Sequence, residues 1–168
     1  MINAPAINYF EHGTQWTAAH AHGSMAGVYG MFSIAIILYV LRNVTVKEFW
    51  TAKMEKAIRW SAWLLNIGLA GMVFATLMPV GQLQLADALK YGYWHARQMS
   101  FYHEKLISLI LWGRMPWDLI FTAGVIILLV VCWKALFHLK KADNQAAAAE
   151  YERFAAAETK SQANEIDE

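Results

Sequence analysis

The sequence predicts an all-α membrane protein with three transmembrane helices and a helix-prone cytoplasmic tail. Three observations carry that prediction. Hydrophobic residues make up 58 % of the 168 residues and charged residues only 16 %, where a soluble domain runs nearer about 45–50 % and about 25 %. No charge lies between Glu11 and Arg42, a run of 30 positions, or between Arg59 and Asp87, a run of 27. A third uncharged run extends from Leu119 to Trp133 and closes on Lys134, Lys140 and Lys141. About 20 apolar residues cross a bilayer as a helix. A surface helix of a soluble bundle would keep a polar face, and the first two runs have almost none. The formal charge of +1 argues against a nucleic-acid partner. The single Cys excludes an internal disulfide framework and any Cys-based zinc or iron–sulfur site.

The first span covers about 16–41. It is not a signal peptide, because residues 1–41 hold no Lys or Arg and so lack a basic leading region. The second span covers about 60–83. The third, within 105–139, has two possible starts. Pro116 can open it at the first turn, where a missing N–H costs nothing, or the helix begins near Lys105 and kinks at Pro116. The apolar stretch Leu106–Trp112 favours the second start. Arg114 and Asp118, four apart on that helix, are then placed to pair. Residues 140–168 are Ala-rich and carry seven acids against four bases. They read as a solvated extension with no apolar face wide enough for a core. The chain thus divides into a membrane domain, 1–139, and a tail, 140–168. Arg42, Lys47, Lys53, Lys56, Arg59, Lys134, Lys140 and Lys141 fall on one side, against Lys90, Arg97, Lys105 and Arg114 on the other. Basic residues favour the inside, which puts the N-terminus outside and the C-terminus in the cytoplasm.

Histidine inside a membrane helix is rare and marks function by default. His20 and His22 both lie in the first span. Two residues apart on an α-helix, at about 100° per residue, they point to nearly opposite faces. Zinc pairs on a helix use i, i+4, so these two do not share one metal. Two readings fit. Each histidine bonds a neighbouring helix, or each gives one axial ligand to one of two haems flanking the helix. Small neighbours (Ala18, Ala19, Ala21, Gly23, Ser24, Ala26, Gly27) would let flat macrocycles or other helices approach. His20 lies about 6 Å along the axis from Trp16, so haems held here would sit toward the outer face. His12 and Gln15 would then lie at the rim, on the propionate side; a plain interfacial histidine is the simpler reading of His12. His95 and His103, with Glu104, lie in the second loop and read as solvated interfacial groups, a His/His/Glu metal site being the sharper alternative. His138 ends the third span.

The stretch from Ile7 to Gly30 closely resembles the tenth membrane helix of the large chain of bacterial nitric oxide reductases, of the haem–copper oxidase superfamily. His12-Gly-Thr, Thr17, His20-x-His22 and Gly27-x-Tyr-Gly30 carry the resemblance. Asn66 to Phe74 and Leu77-Met-Pro-Val-Gly81 resemble its eleventh helix. Tyr91-Gly-Tyr-Trp-His-Ala-Arg97 and Arg114-Met-Pro-Trp-Asp118 resemble the approach to its twelfth, in the quinol-dependent branch more than the cytochrome c-dependent one. Ala21 and Trp117 stand where that family usually has Gly, which leaves the packing around Trp117 in question.

The resemblance implies that His20 is the proximal ligand of a high-spin haem b3 and His22 an axial ligand of a low-spin haem b. It implies the reaction 2 NO + 2 e⁻ + 2 H⁺ → N₂O + H₂O, with quinol or cytochrome c as electron donor, in the bacterial inner membrane. It implies a non-haem iron as well, whose ligands in that family precede this segment, so no catalytic residue is assigned within this chain alone. The chain is therefore expected to be the C-terminal quarter of a reductase, working with the missing N-terminal helices: a truncated product, a split gene or a boundary chosen in cloning. Two other readings use the same residues. One is part of a haem–copper terminal oxidase; the other is a small non-catalytic membrane anchor or haem-binding module.

Overall fold

The uncharged runs become long helices, and where charge, glycine and proline return the chain turns. The computed structural model describes residues 4–139 and 151–152. A short helix α1, Pro5–Glu11, leads through a turn at Gly13 (φ +74°) into α2, Gln15–Val44, of 30 residues. After a single 3₁₀ turn at Lys47–Phe49 comes α3, Ala52–Tyr91, of 40 residues. A second 3₁₀ turn, His95–Arg97, and the four-residue helix α4, Met99–Tyr102, form the next connection. The last apolar segment is split into α5, Lys105–Trp112, and α6, Met115–Leu136. No strand occurs among the described residues, and α2, α3 and the joined α5–α6 segment are each long and apolar enough to cross a membrane.

The third segment combines both expected starts. Helix forms from Lys105, breaks at Gly113 and Arg114, and resumes at Met115 with Pro116 in its first turn, where no N–H is needed. Arg114 pairs with Asp118 at 3.2 Å through both carboxylate oxygens.

Two stretches widen into π geometry, His22–Gly30 in α2 and Gly71–Leu77 in α3. The second ends just before Pro79. A proline inside a helix removes one bond and presses on the carbonyl four residues back, and the looser winding takes up that conflict. The Thr76 hydroxyl donates to the Met72 carbonyl within the widened turn. In the first stretch Gly23, Gly27 and Gly30 leave room, and the Ser24 hydroxyl donates to the His20 carbonyl at 2.8 Å. Such widening is rare and recurs at functional sites.

Helix α3 is central. Half of its most apolar stretch is buried, against 17 % in the third segment and none in α2. It packs along α6 through small residues. A Cβ on Gly68 would lie 2.6 Å from the Phe121 nitrogen, and one on Gly124 3.0 Å from Leu65. The buried Ser61 hydroxyl donates to the Gly124 carbonyl at 2.7 Å, crossing between the same helices. With little hydrophobic drive between helices in lipid, such close approach and polar stitching hold them together. Trp117 finds its space at Gly71, where a Cβ would meet its indole at 2.1 Å. Ala19 of α2 completes a core with Leu69, Met72, Val73 and Leu77.

The unit Met1–His138 contains all of this; the chain's other unit is Leu139–Glu168. Of the expected tail only Tyr151 and Glu152 are described, both helical; the rest of 140–168 lies outside the described residues.

Candidate functional site

The site begins at the turn that launches α2. Thr14 caps the helix: its hydroxyl accepts from the Trp16 amide at 3.2 Å and donates to the Glu11 carbonyl at 2.6 Å. An oxygen side chain in that place satisfies one of the unpaired amides of a helix start. The Thr17 hydroxyl donates to the same Glu11 carbonyl at 2.9 Å.

Two side chains from farther along the chain hold this turn. Gln84 of α3 is fully buried. Its carbonyl oxygen accepts from the Gln15 amide at 2.7 Å, and its amide donates to the Ala96 carbonyl at 3.0 Å and the Tyr102 hydroxyl at 2.8 Å. Arg97 donates to the carbonyls of Phe10 at 3.2 Å and His12 at 2.6 Å, and to that of Tyr93 at 2.7 Å. Its guanidinium lies 3.5 Å from the Tyr93 ring centroid, a stacked cation–π contact. Gly81 of α3 lets Trp16 approach so closely that a Cβ there would lie 2.7 Å from its amide. Height and rotation of the first turns of α2 are thereby fixed against α3 and the second loop.

His20 and His22 follow on that held segment, and their surroundings differ. His22 is half-buried. Its Nδ1 lies 2.7 Å from the Ala18 carbonyl, a bond that only a protonated Nδ1 can make, so in the neutral ring Nε2 carries the lone pair. Nε2 faces the Arg114 guanidinium, a donor, at 3.5 Å. His20 is exposed and makes no side-chain hydrogen bond among the described residues. Beside them Gly23 is open: nothing lies within 4 Å of where its Cβ would be. His12 is exposed, and its contribution to the structure is the carbonyl that Arg97 holds.

These features fit axial ligation of haem iron, which asks one imidazole nitrogen of each histidine. A histidine ligand ordinarily donates its other nitrogen to a carbonyl or carboxylate, which fixes the ring and raises its basicity; the His22–Ala18 bond is of that kind. Binding iron at His22 Nε2 would require Arg114 to withdraw toward Asp118, to which it is already paired. Among the described residues there is no group of three or more His, Cys, Asp or Glu that could hold a metal ion. His95 does not join His103 and Glu104; its Nδ1 lies 2.7 Å from the Asp87 carboxylate, with Tyr91 stacked at 5.0 Å. At the opposite end of the bundle, His138 bonds the Lys134 carbonyl at 2.9 Å and stacks on Phe49.

Sequence reasoning missed Gln84 and the long-range contacts that hold the site. Arg114 and His22 are 92 positions apart, and Gln84 and Gln15 are 69 apart. A pair of glutamines, Gln82 and Gln84, in an apolar stretch was the available signal for Gln84.

Comparison with known proteins bears on these residues. A family model described as "Cytochrome C and Quinol oxidase polypeptide I" matches residues 1–113, which include α1 to α3 and both histidines. A nitric oxide reductase subunit from Stutzerimonas stutzeri is 30 % identical over 131 residues, covering 76 % of this chain and 26 % of that protein. The chain thus spans about a quarter of the length of this curated relative.

Proposed function

The chain belongs to the Cytochrome C and Quinol oxidase polypeptide I family, and from that membership we propose that α2 supplies one axial histidine to each of two haems in a nitric oxide reductase. His20 is the ligand of a high-spin haem b3, and His22 that of a low-spin haem b. When bound, the haems would carry electrons and hold NO for the reaction 2 NO + 2 e⁻ + 2 H⁺ → N₂O + H₂O, with quinol as the proposed donor. The second axial ligand of the low-spin haem and the ligands of a non-haem iron come, on this proposal, from helices outside this sequence.

One observation carries the reading. The Nδ1–Ala18 bond presents His22 Nε2 away from its own helix, while His20, two residues back, stays exposed and free of side-chain hydrogen bonds among the described residues. This chain's own residues do the positioning. Thr14, Gln84 and Arg97 hold the turn before the ligands, Gly23 borders open space, and Arg114, 3.5 Å from His22 Nε2, would withdraw toward Asp118 as iron binds. On this proposal the chain lies in a bacterial inner membrane, and the positive-inside rule favours this end of α2 toward the periplasm and the C-terminus in the cytoplasm.

The test uses the assembled reductase. His22→Ala should abolish the low-spin haem signal in reduced-minus-oxidised spectra, and His20→Ala should remove the high-spin signal while sparing the low-spin one. A low-spin signal that survives His22→Ala would refute the assignment. The family description also names oxidases, for which O₂ is the alternative substrate to test. The identity to a nitric oxide reductase supports NO as substrate, and N₂O formation against O₂ uptake by the same preparation separates the two.

A further inference from the structure

At the far end of the bundle from His20 and His22, one face of α3 carries a feature the haem reading does not use. A groove of about 640 Å³ is lined by Ala52, Glu55, Lys56, Arg59, Trp60 and Trp63. A neighbouring groove of about 400 Å³ continues it past Trp63 to Asn66. Lys56, Arg59, Trp63 and Asn66 follow one another at steps of three and four, which places them on one helix face. All of them are exposed; Trp60 and Trp63 are 56 % and 60 % accessible.

The charges of the groove do not cancel. Glu55 is engaged by Arg42, while Lys56 and Arg59 have no ion-pair partner among the described residues. The groove therefore presents two cations. A guanidinium fork and an ammonium together match the oxygens of a phosphate. Tryptophan collects at the level of lipid headgroups, where its ring is apolar and its N–H finds acceptors. Below it the same face turns apolar, with Ile67 and Phe74 exposed. From Trp60 to Ala70 the helix rises about 15 Å, which is half of the roughly 30 Å hydrocarbon thickness.

We propose that this face, from Lys56 and Arg59 through Trp60 and Trp63 to Ala70, binds one anionic phospholipid, its phosphate on the two cations and an acyl chain along the helix. Two features favour a lipid over a protein segment: charge that complements a phosphodiester, and an order of cation, indole and apolar surface that repeats the order of phosphate, glycerol and acyl chain through one leaflet. The site stands independently of the haem ligands.

The experiment places the chain in phosphatidylcholine vesicles doped with equal small fractions of dibrominated phosphatidylglycerol or dibrominated phosphatidylcholine, and reads tryptophan quenching. Brominated phosphatidylglycerol should quench more, with local enrichment of about fivefold per cation. The excess should vanish in Lys56→Gln/Arg59→Gln and in Trp60→Phe/Trp63→Phe. It should persist in Lys47→Gln/Lys53→Gln, which loses the same charge outside the groove, and in the charge-keeping Lys56→Arg. Equal quenching by the two lipids, or an excess that survives Lys56→Gln/Arg59→Gln or falls equally in Lys47→Gln/Lys53→Gln, would overturn the proposal. So would quenching in the assembled reductase that Trp60→Phe/Trp63→Phe leaves unchanged, because protein would then cover the face. Helical circular dichroism of each variant confirms that the comparison is between folded chains.

Discussion

Gln84 shows how much one buried side chain can settle. It sits fully buried in α3 and uses both ends of its amide, accepting from the first turn of α2 and donating to Ala96 and Tyr102. Removing one partner of a buried hydrogen bond costs about 1–3 kcal/mol. Gln84→Leu keeps the bulk and strands three polar groups, so the chain should lose roughly that much stability in detergent, measured by chemical unfolding, whereas the exposed Gln82→Leu should change little. None of these partners was legible in the sequence, because each contact spans 12 or more positions. The histidines were legible for the opposite reason. Rarity in an apolar run and a two-residue spacing mark His20 and His22 without any knowledge of neighbours, although the faces they present depend on the α-to-π transition at His22, which no residue type announces.

At the scale of elements, charge-free runs found all three long helices. The first two were drawn short, the second most of all: it was expected over about 60–83 and runs from Ala52 to Tyr91, whereas the third, expected to 139, ends at Leu136. Hydropathy marks what lipid tolerates, whereas a helix continues into water as long as its bonds are met, and Lys53, Glu55 and Lys56 are good helix formers. The open question of Trp117 is resolved by its partner, since Gly71 vacates the volume the indole takes. Gly71→Ala should therefore destabilise the α3–α6 packing by about 1–3 kcal/mol, the usual cost of overfilling a packed site. The same substitution in a Trp117→Ala background should cost far less. A double-mutant cycle on thermal unfolding measures the coupling, and additive effects would mean that the two residues do not share that space.

For the molecule as a whole, the family resemblance read from His12-Gly-Thr, His20-x-His22 and the Gly-rich turns after them is borne out by the family match and by the relative's identity. The basic residues extend that reading to topology. Lys47, Lys53 and Lys56 gather at one end of the bundle, Lys90 and Lys105 at the other. In sealed inner-membrane vesicles turned cytoplasmic side out, a membrane-impermeant amine reagent should label the first group and spare the second, and right-side-out spheroplasts should give the reverse. Labelling of both groups from one side would contradict the proposed orientation.

Helix α3 has a consequence for the membrane itself. Its 27 uncharged positions between Arg59 and Asp87 span about 40 Å as a helix, against a hydrocarbon layer of about 30 Å. The surplus must be absorbed by leaning or by local thickening of the bilayer. The π-widened turn Gly71–Leu77 and Pro79 fall near the middle of that run, which is where a bend of the helix is expected. Bilayer thickness should therefore bear on the angle between the half of α3 that carries Trp60 and Trp63 and the half that holds the start of the histidine-bearing helix.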